Sequence, residues 1–143
     1  MRSTIVEASW ASSEATRKSM RSNRRRDTGP EMAVRRLLHA SGLRYRVDYP
    51  LPFDRRRKAD IAFTRQRIAV FIDGCFWHGC PEHFVAPKTN SDYWRVKIAG
   101  NIARDQDSDS RLQAAGWIVL RSWEHEDPGT VAQRVREMVT LEQ

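Results

Sequence analysis

The chain has 143 residues, 40% of them hydrophobic, and 25 Lys and Arg against 18 Asp and Glu give a formal charge of +7. That length suits one domain with a core large enough to stand without disulfides. No apolar run approaches the roughly 18 residues that span a bilayer, and the N-terminus lacks a signal-peptide core, so a membrane protein and a disulfide-built secreted scaffold are excluded and a cytoplasmic location is expected.

Residues 1–26 hold seven basic and two acidic residues and end in Arg24-Arg25-Arg26. They read as a basic arm, helical around 13–20, that becomes ordered on a polyanion, while residues 27–143 form the folded domain. Arginine outnumbers lysine there and in the second cluster, Arg55-Arg56-Arg57-Lys58, which suits bidentate phosphate contacts. Thr28-Gly29-Pro30-Glu31 is a capping box that opens a helix over 29–41, with Gly42 as its stop. Tyr45, Val47 and Tyr49 alternate with polar residues as a strand does, until Pro50 and Pro52 interrupt. Strands are expected at 58–63 and 68–72, joined by a turn at 64–67, and the second is apolar throughout, as a central strand is. A loop rich in Cys and His follows. A long helix is expected over 91–115 with Gly116 at its end, then an apolar strand at 117–123. A last helix starts near Pro128 and buries Val131, Val135, Met138 and Val139. The order αβββαβα predicts an α/β fold, a mixed sheet flanked by helices.

Cys75, Cys80 and His83 lie at C-x4-C-x2-H spacing, and the chain has no other cysteine. With His125, just beyond the last strand, they make a tetrahedral set for structural zinc. The bland alternative is two ordinary thiols and surface histidines. Asp60 sits within one apolar strand and Asp73 at the end of the next. Acids on adjacent strands can meet over one hard cation such as magnesium, although each also suits a strand end. Glu31 is a third acid with a capping job already. His78 follows Phe76-Trp77 and reads as a general base, or as a replacement for His83 or His125 at the zinc. Asp105 can orient it. Trp94, Ile98, Ile102, Asp105 and Leu112 share one stripe of the long helix, and an acid on an apolar stripe needs a partner. Phe76 and Trp77, mounted between metal ligands, are read as exposed rings able to wedge between base pairs.

The run Phe71-Ile-Asp-Gly-Cys-Phe-Trp-His-Gly-Cys-Pro-Glu-His83 resembles the signature of the very-short-patch-repair (Vsr) DNA mismatch endonucleases. The likeness extends in order through Met20-Arg-Ser, Arg26-Asp-Thr-Gly-Pro-Glu31, Arg57-Lys-Ala-Asp-Ile61, Pro87-Lys-Thr-Asn90, Tyr93-Trp94, Lys97-Ile98, Asn101, Arg104-Asp105, Gly116-Trp-Ile-Val-Leu120 and Trp123-Glu-His125. The resemblance implies a restriction-endonuclease-like fold with a structural zinc loop. It also implies an enzyme that nicks one strand 5′ to the thymine of a T:G mismatch left by deaminated 5-methylcytosine. Asp60 is then the central magnesium ligand; Asp73, which stands where the best-known family member has a histidine, is taken as a second ligand from its own position and not from the resemblance. His78 is the general base supported by Asp105, and Glu31 an accessory acid. Cys75, Cys80, His83 and His125 hold zinc. Phe76, Trp77 and Trp94 enter DNA from the major groove and Met20 from the minor groove, with Arg24, Arg25, Arg26, Lys97 and Asn101 as further DNA contacts. The Asp/Glu-x-Lys motif of related nucleases would place its lysine at Cys75, so that lysine is absent.

The implied partner is T:G-mismatched double-stranded DNA, with other mismatch-repair proteins as further partners, and a monomer suffices to nick one strand. Two other readings stand beside this one: a nicking nuclease of a restriction–modification system with a different target, and a zinc module that binds DNA without cutting it. Asp60 and Asp73 weigh against the last, since a binder gains nothing from acids beside phosphates.

Overall fold

A computed structural model describes residues 29–82 and 87–142. The expected arm with its helix at 13–20, Met20, Arg24, Arg25, Arg26 and His83 lie outside the described residues. Within them the order is α1 (Gly29–Ala40), β1 (Arg46–Leu51), β2 (Asp54–Phe63), β3 (Ile68–Asp73), α2 (Ser91–Ala114), β4 (Ile118–Trp123) and α3 (Pro128–Leu141). The strands form one mixed sheet in the order β1-β2-β3-β4, antiparallel except for the β3–β4 pair, which α2 connects in parallel. This is the α/β arrangement expected from the sequence. No helix among the described residues is long and apolar enough to cross a membrane.

The period-2 alternation of strands sorts side chains between two layers. Ile68, Val70 and Ile72 of β3 turn to one face, where they meet Val34 and Leu38 of α1 and Val131, Ala132, Val135 and Val139 of α3. Ala69 and Phe71 turn to the other, against Leu112 of α2 with Trp117 and Val119 partly buried alongside. Every residue of β3 is buried. The same alternation carries Asp73, two residues beyond Phe71, and Arg121, two beyond Val119, to the α2 face. Polar chemistry therefore begins where the apolar pattern of this face stops.

Glycine ends α2. Gly116 has φ +89, and the amides of Gly116 and Trp117 donate to the carbonyls of Gln113 and Leu112, a Schellman closure that turns the chain straight into β4. At α3, Pro128 opens the first turn and the Asp127 carboxylate accepts the Thr130 amide.

Three expectations need correction. Pro50 does not interrupt β1, which runs to Leu51 with Pro50 opposite Lys58. β1 is an edge strand, where proline is tolerated because a missing donor need not break a ladder. β2 begins at Asp54, so the basic cluster is a strand: its first half is largely exposed and residues 59–63 are buried. On α2 the buried positions are Trp94, Ile98, Ser108 and Leu112, while Ile102 is exposed. Ser108 escaped the apolar reading because its burial is polar; its hydroxyl accepts from Arg57 Nη1 at 3.1 Å.

Candidate active site and metal loop

β2 and β3 pair at Ile61–Val70, Ala62–Ala69 and Phe63–Ile68, whereas β3 runs on to Asp73. Beyond that pairing the Asp60 side chain takes over: its Oδ2 accepts the Ile72 amide at 2.7 Å. A buried carboxylate thus satisfies a buried backbone donor beside the end of the ladder.

The segment after β3 folds into a tight turn. The His78 amide donates to the Gly74 carbonyl and the Cys80 amide to the Cys75 carbonyl. Two side chains from elsewhere brace it: Glu124 Oε2 accepts the Cys75 amide at 2.8 Å, and Asn101 Nδ2 donates to the Trp77 carbonyl at 2.8 Å. Gly79 lies at φ +66, and a Cβ there would stand 2.9 Å from both Ile102 Cδ1 and Ile98 Cγ2, so the turn rests directly on α2. Gly79→Ala is therefore expected to lower stability by about 1–3 kcal/mol, combining overpacking with a left-handed backbone. Urea unfolding should show this as a lower midpoint at unchanged m-value.

The turn delivers His78 to α2. Its Nδ1 lies 2.5 Å from Asp105 Oδ2 and 3.9 Å from Asp73 Oδ1, with the imidazole 12% exposed. An ionised carboxylate only accepts, so Nδ1 is the donor of this pair, and in the neutral imidazole that leaves the lone pair on Nε2, the form a general base needs. Asp73, His78 and Asp105 bring ligand atoms within 4.8 Å of one another. Of the two acids expected to meet over one cation, Asp73 lies with His78 and Asp105 in this group and Asp60 is not a member of it. Glu31 is also outside it; it is buried in the first turn of α1, whose apolar side packs on the opposite face of the sheet.

Arg121 escaped the sequence reading, although a cation inside the apolar strand at 117–123 was a usable signal. Its Nη1 donates to both oxygens of Asp73, at 3.0 and 2.9 Å, and its Nε to Asp109 Oδ1 at 2.8 Å. Burial works to lower its pKa, but Asp73, Asp105 and Asp109 outweigh burial and hold the guanidinium above its ordinary value. A small cleft opens here, rimmed by Arg57, Lys58, Arg104 and Arg121 around Asp73 and His78. Arg57, Lys58 and Arg104 beside a base and acids suit a phosphate next to a hydrolytic group, while Arg121 is held by its acids.

Cys75, Cys80 and His125 form a second cluster, also within 4.8 Å of one another. Cys75 Sγ is 3.3 Å and Cys80 Sγ 3.8 Å from His125 Nδ1, and both cysteines are free thiols. Burial, then the Cys80 thiol and the Glu124 carboxylate, push Cys75 up to about 12. A bound cation would reverse that penalty and hold thiolates, and a soft sulfur and imidazole set fits zinc. His78 stands with the acids, away from this cluster, which leaves it available as a base.

The aromatic expectation changes. Trp77 and Trp94 are buried and Phe76 is half-buried. The three rings meet edge to face, at centroid distances of 5.1 Å for Phe76–Trp77, 5.0 Å for Phe76–Trp94 and 5.5 Å for Trp77–Trp94. Large rings on a short turn desolvate best against one another and the head of α2, so they do not stand exposed. Asn101, expected at DNA, spends its amide on the Trp77 carbonyl, and Lys97 is half-buried.

Comparison with known proteins agrees with this geometry. The family model described as DNA mismatch endonuclease Vsr matches residues 11–83. The Type II nicking enzyme V.NaeI of Lentzea aerocolonigenes is 48% identical over 112 residues, covering 77% of this chain and 68% of the relative. The Type II nicking enzyme V.XorIIP of Xanthomonas oryzae pv. oryzae is 40% identical over 131 residues, 90% of this chain and 94% of the relative. The DNA mismatch endonuclease Vsr of Escherichia coli is 39% identical over 132 residues, 90% of this chain and 78% of the relative. Matches of this extent, running through the β3 end, the Cys/His turn and α2, show that the chain is a nuclease of the Vsr DNA mismatch endonuclease family.

Proposed function

We propose that this nuclease nicks one strand of duplex DNA 5′ to the thymine of a T:G mismatch that deamination of 5-methylcytosine has created. The observation that carries the reading is the His78–Asp105 pair, an oriented base at 2.5 Å set among acids in a cleft rimmed by cations. His78 Nε2 takes the proton of the attacking water. Asp105 fixes the imidazole through Nδ1 and stabilises the imidazolium that forms. Lys58, Arg57 and Arg104 hold the phosphates on either side. A magnesium ion on Asp60, the carboxylate at the splayed strand end, would polarise the scissile phosphate. Glu31 is an accessory acid in this reading.

Cys75, Cys80 and His125, with His83 as the fourth ligand, would hold zinc as a staple between the turn and the end of β4. Phe76, half-buried over Trp77 and Trp94, is the ring placed to enter DNA, with the two tryptophans as its mount. The arm with Met20 and Arg24–Arg26 supplies the opposite groove and added phosphate contacts. The protein acts as a monomer in the cytoplasm, with other mismatch-repair proteins following the nick.

A second reading has a specific support. Two of the relatives above are named Type II nicking enzymes, so the same centre serving a restriction–modification system with another target is the competitor. The deciding experiment is strand-specific nicking, at fixed salt with magnesium, of a T:G duplex library with randomised flanks beside its T:A and C:G parents. Nicking confined to T:G duplexes is expected. Equal cutting of the parents would transfer the assignment to the second reading.

A further inference from the structure

Asp73 and Asp60 both entered as magnesium ligands, but their surroundings differ. Asp73 is 7% exposed at its side chain, and both its oxygens face one guanidinium nitrogen of Arg121. The rest of that guanidinium is also spoken for. Its Nε reaches both oxygens of Asp109, at 2.8 and 3.0 Å, its Nη2 stands 3.8 Å from Asp105 Oδ1, and the Phe71 ring lies 4.0 Å beneath it. Arg121 therefore ties three acids, from the end of β3 and from two successive turns of α2, to β4.

We propose that Arg121 is a positioning residue of the cutting centre and that Asp73 is its anchor, not a magnesium ligand. This rests on the nuclease reading above. Guanidinium cannot shed its proton, so a cation on Asp73 would have to share oxygens already turned to Arg121 in a buried site, and drawing them away would leave the arginine's charge uncompensated. Arg121 acts on the chemistry through Asp105. That carboxylate stands between His78 Nδ1 on Oδ2 and Arg121 Nη2 on Oδ1. The guanidinium thereby fixes the rotation of the acid that orients the base. It also holds Asp73 off at 3.9 Å from the imidazole, leaving Asp105 as the partner of His78. A lysine keeps the charge but loses the planar fork that joins Asp73 to Asp109.

The test uses the zinc-loaded full chain. Mn2+ binding, read by electron paramagnetic resonance with duplex DNA present, compares wild type, Asp73→Asn and Asp60→Asn. Asp73→Asn is expected to bind Mn2+ within about threefold of wild type, and a larger loss would make Asp73 a ligand and overturn the proposal. In the nicking assay Arg121→Gln is expected to lower kcat about 100-fold with KM for DNA within about threefold, and Arg121→Lys to recover at least about tenfold of that loss. A raised KM with kcat retained would make Arg121 a phosphate contact, and a fall that lysine does not recover would leave it merely structural; either overturns the proposal. Should Arg121→Gln fail to fold, Asp109→Asn, which loosens Arg121 without stranding it, is expected to lower kcat about fivefold at unchanged KM, and an unchanged kcat counts against the proposal. The Mn2+ arm needs no cleavage. Failure of wild type to nick T:G duplexes, or of Asp60→Asn to lose Mn2+, reports on the function proposed above and not on Asp73.

Discussion

Replacing His78 with alanine is expected to slow strand nicking by about 10³-fold or more, the share a well-placed general base commands, with little change in affinity for DNA. The geometry sets this size. The imidazole is 12% exposed, its Nδ1 is committed to Asp105 at 2.5 Å, and it is the one imidazole in a cleft otherwise lined by arginines, a lysine, two acids, Ser108, Leu51 and Phe71. Asp105→Asn is expected to cost nearly as much, about 10²–10³-fold, because an amide can donate to Nδ1 and so favours the tautomer whose lone pair points away from the substrate. The two act as one unit, so the double variant should be little slower than His78→Ala alone. Single-turnover nicking with enzyme in excess measures the chemical step free of product release. If His78→Ala kept more than about a tenth of the wild-type rate, another group would be the base, and the role given to Asp105 would fall with it.

These two residues also show what the sequence could and could not reveal. The order of elements was legible because the patterns are local: alternation for β1, an apolar run for β3, and glycine closures at Gly42 and Gly116. The pairing of His78 with Asp105 was legible because an acid on an apolar helical stripe demands a partner. Arg121 was missed for a different reason. A single arginine in an apolar strand signals a buried partner without naming it, and its three acids come from β3 and α2, joined only when the sheet registers Phe71 against Arg121. The aromatic rings were misjudged because loop position was taken as exposure. The turn at Gly79 presses the chain against α2, and the rings fill the contact. Asp60 and Asp73 were paired because adjacent strand ends looked equivalent. Their surroundings in the fold differ: one carboxylate accepts the Ile72 amide and the other faces a guanidinium.

Removing the zinc staple is expected to have the largest effect on stability. Cys80→Ser should prevent one zinc per chain from being retained and lower folding stability by about 4 kcal/mol or more, since a metal held only by the folded state adds its binding free energy to folding. Apart from any metal, the Cys/His turn is fastened by the Glu124 and Asn101 hydrogen bonds and by the ring cluster of Phe76, Trp77 and Trp94. Cys75, Cys80 and His125 bring their ligand atoms within 4.8 Å of one another, and burial, which raises the Cys75 thiol, disfavours its thiolate. A bound zinc would offset that penalty and join the turn to His125. Because His78 sits between Cys75 and Cys80, loosening the staple also releases the base from Asp105, so activity should fall together with the melting temperature. A chelator strong enough to strip zinc from wild type should reproduce both losses, and zinc added back should restore them. Elemental analysis and thermal melts check the prediction. Full zinc content in Cys80→Ser, or a melt unmoved by stripping, would remove Cys80 from the ligand set and return the cluster to two ordinary thiols beside a histidine.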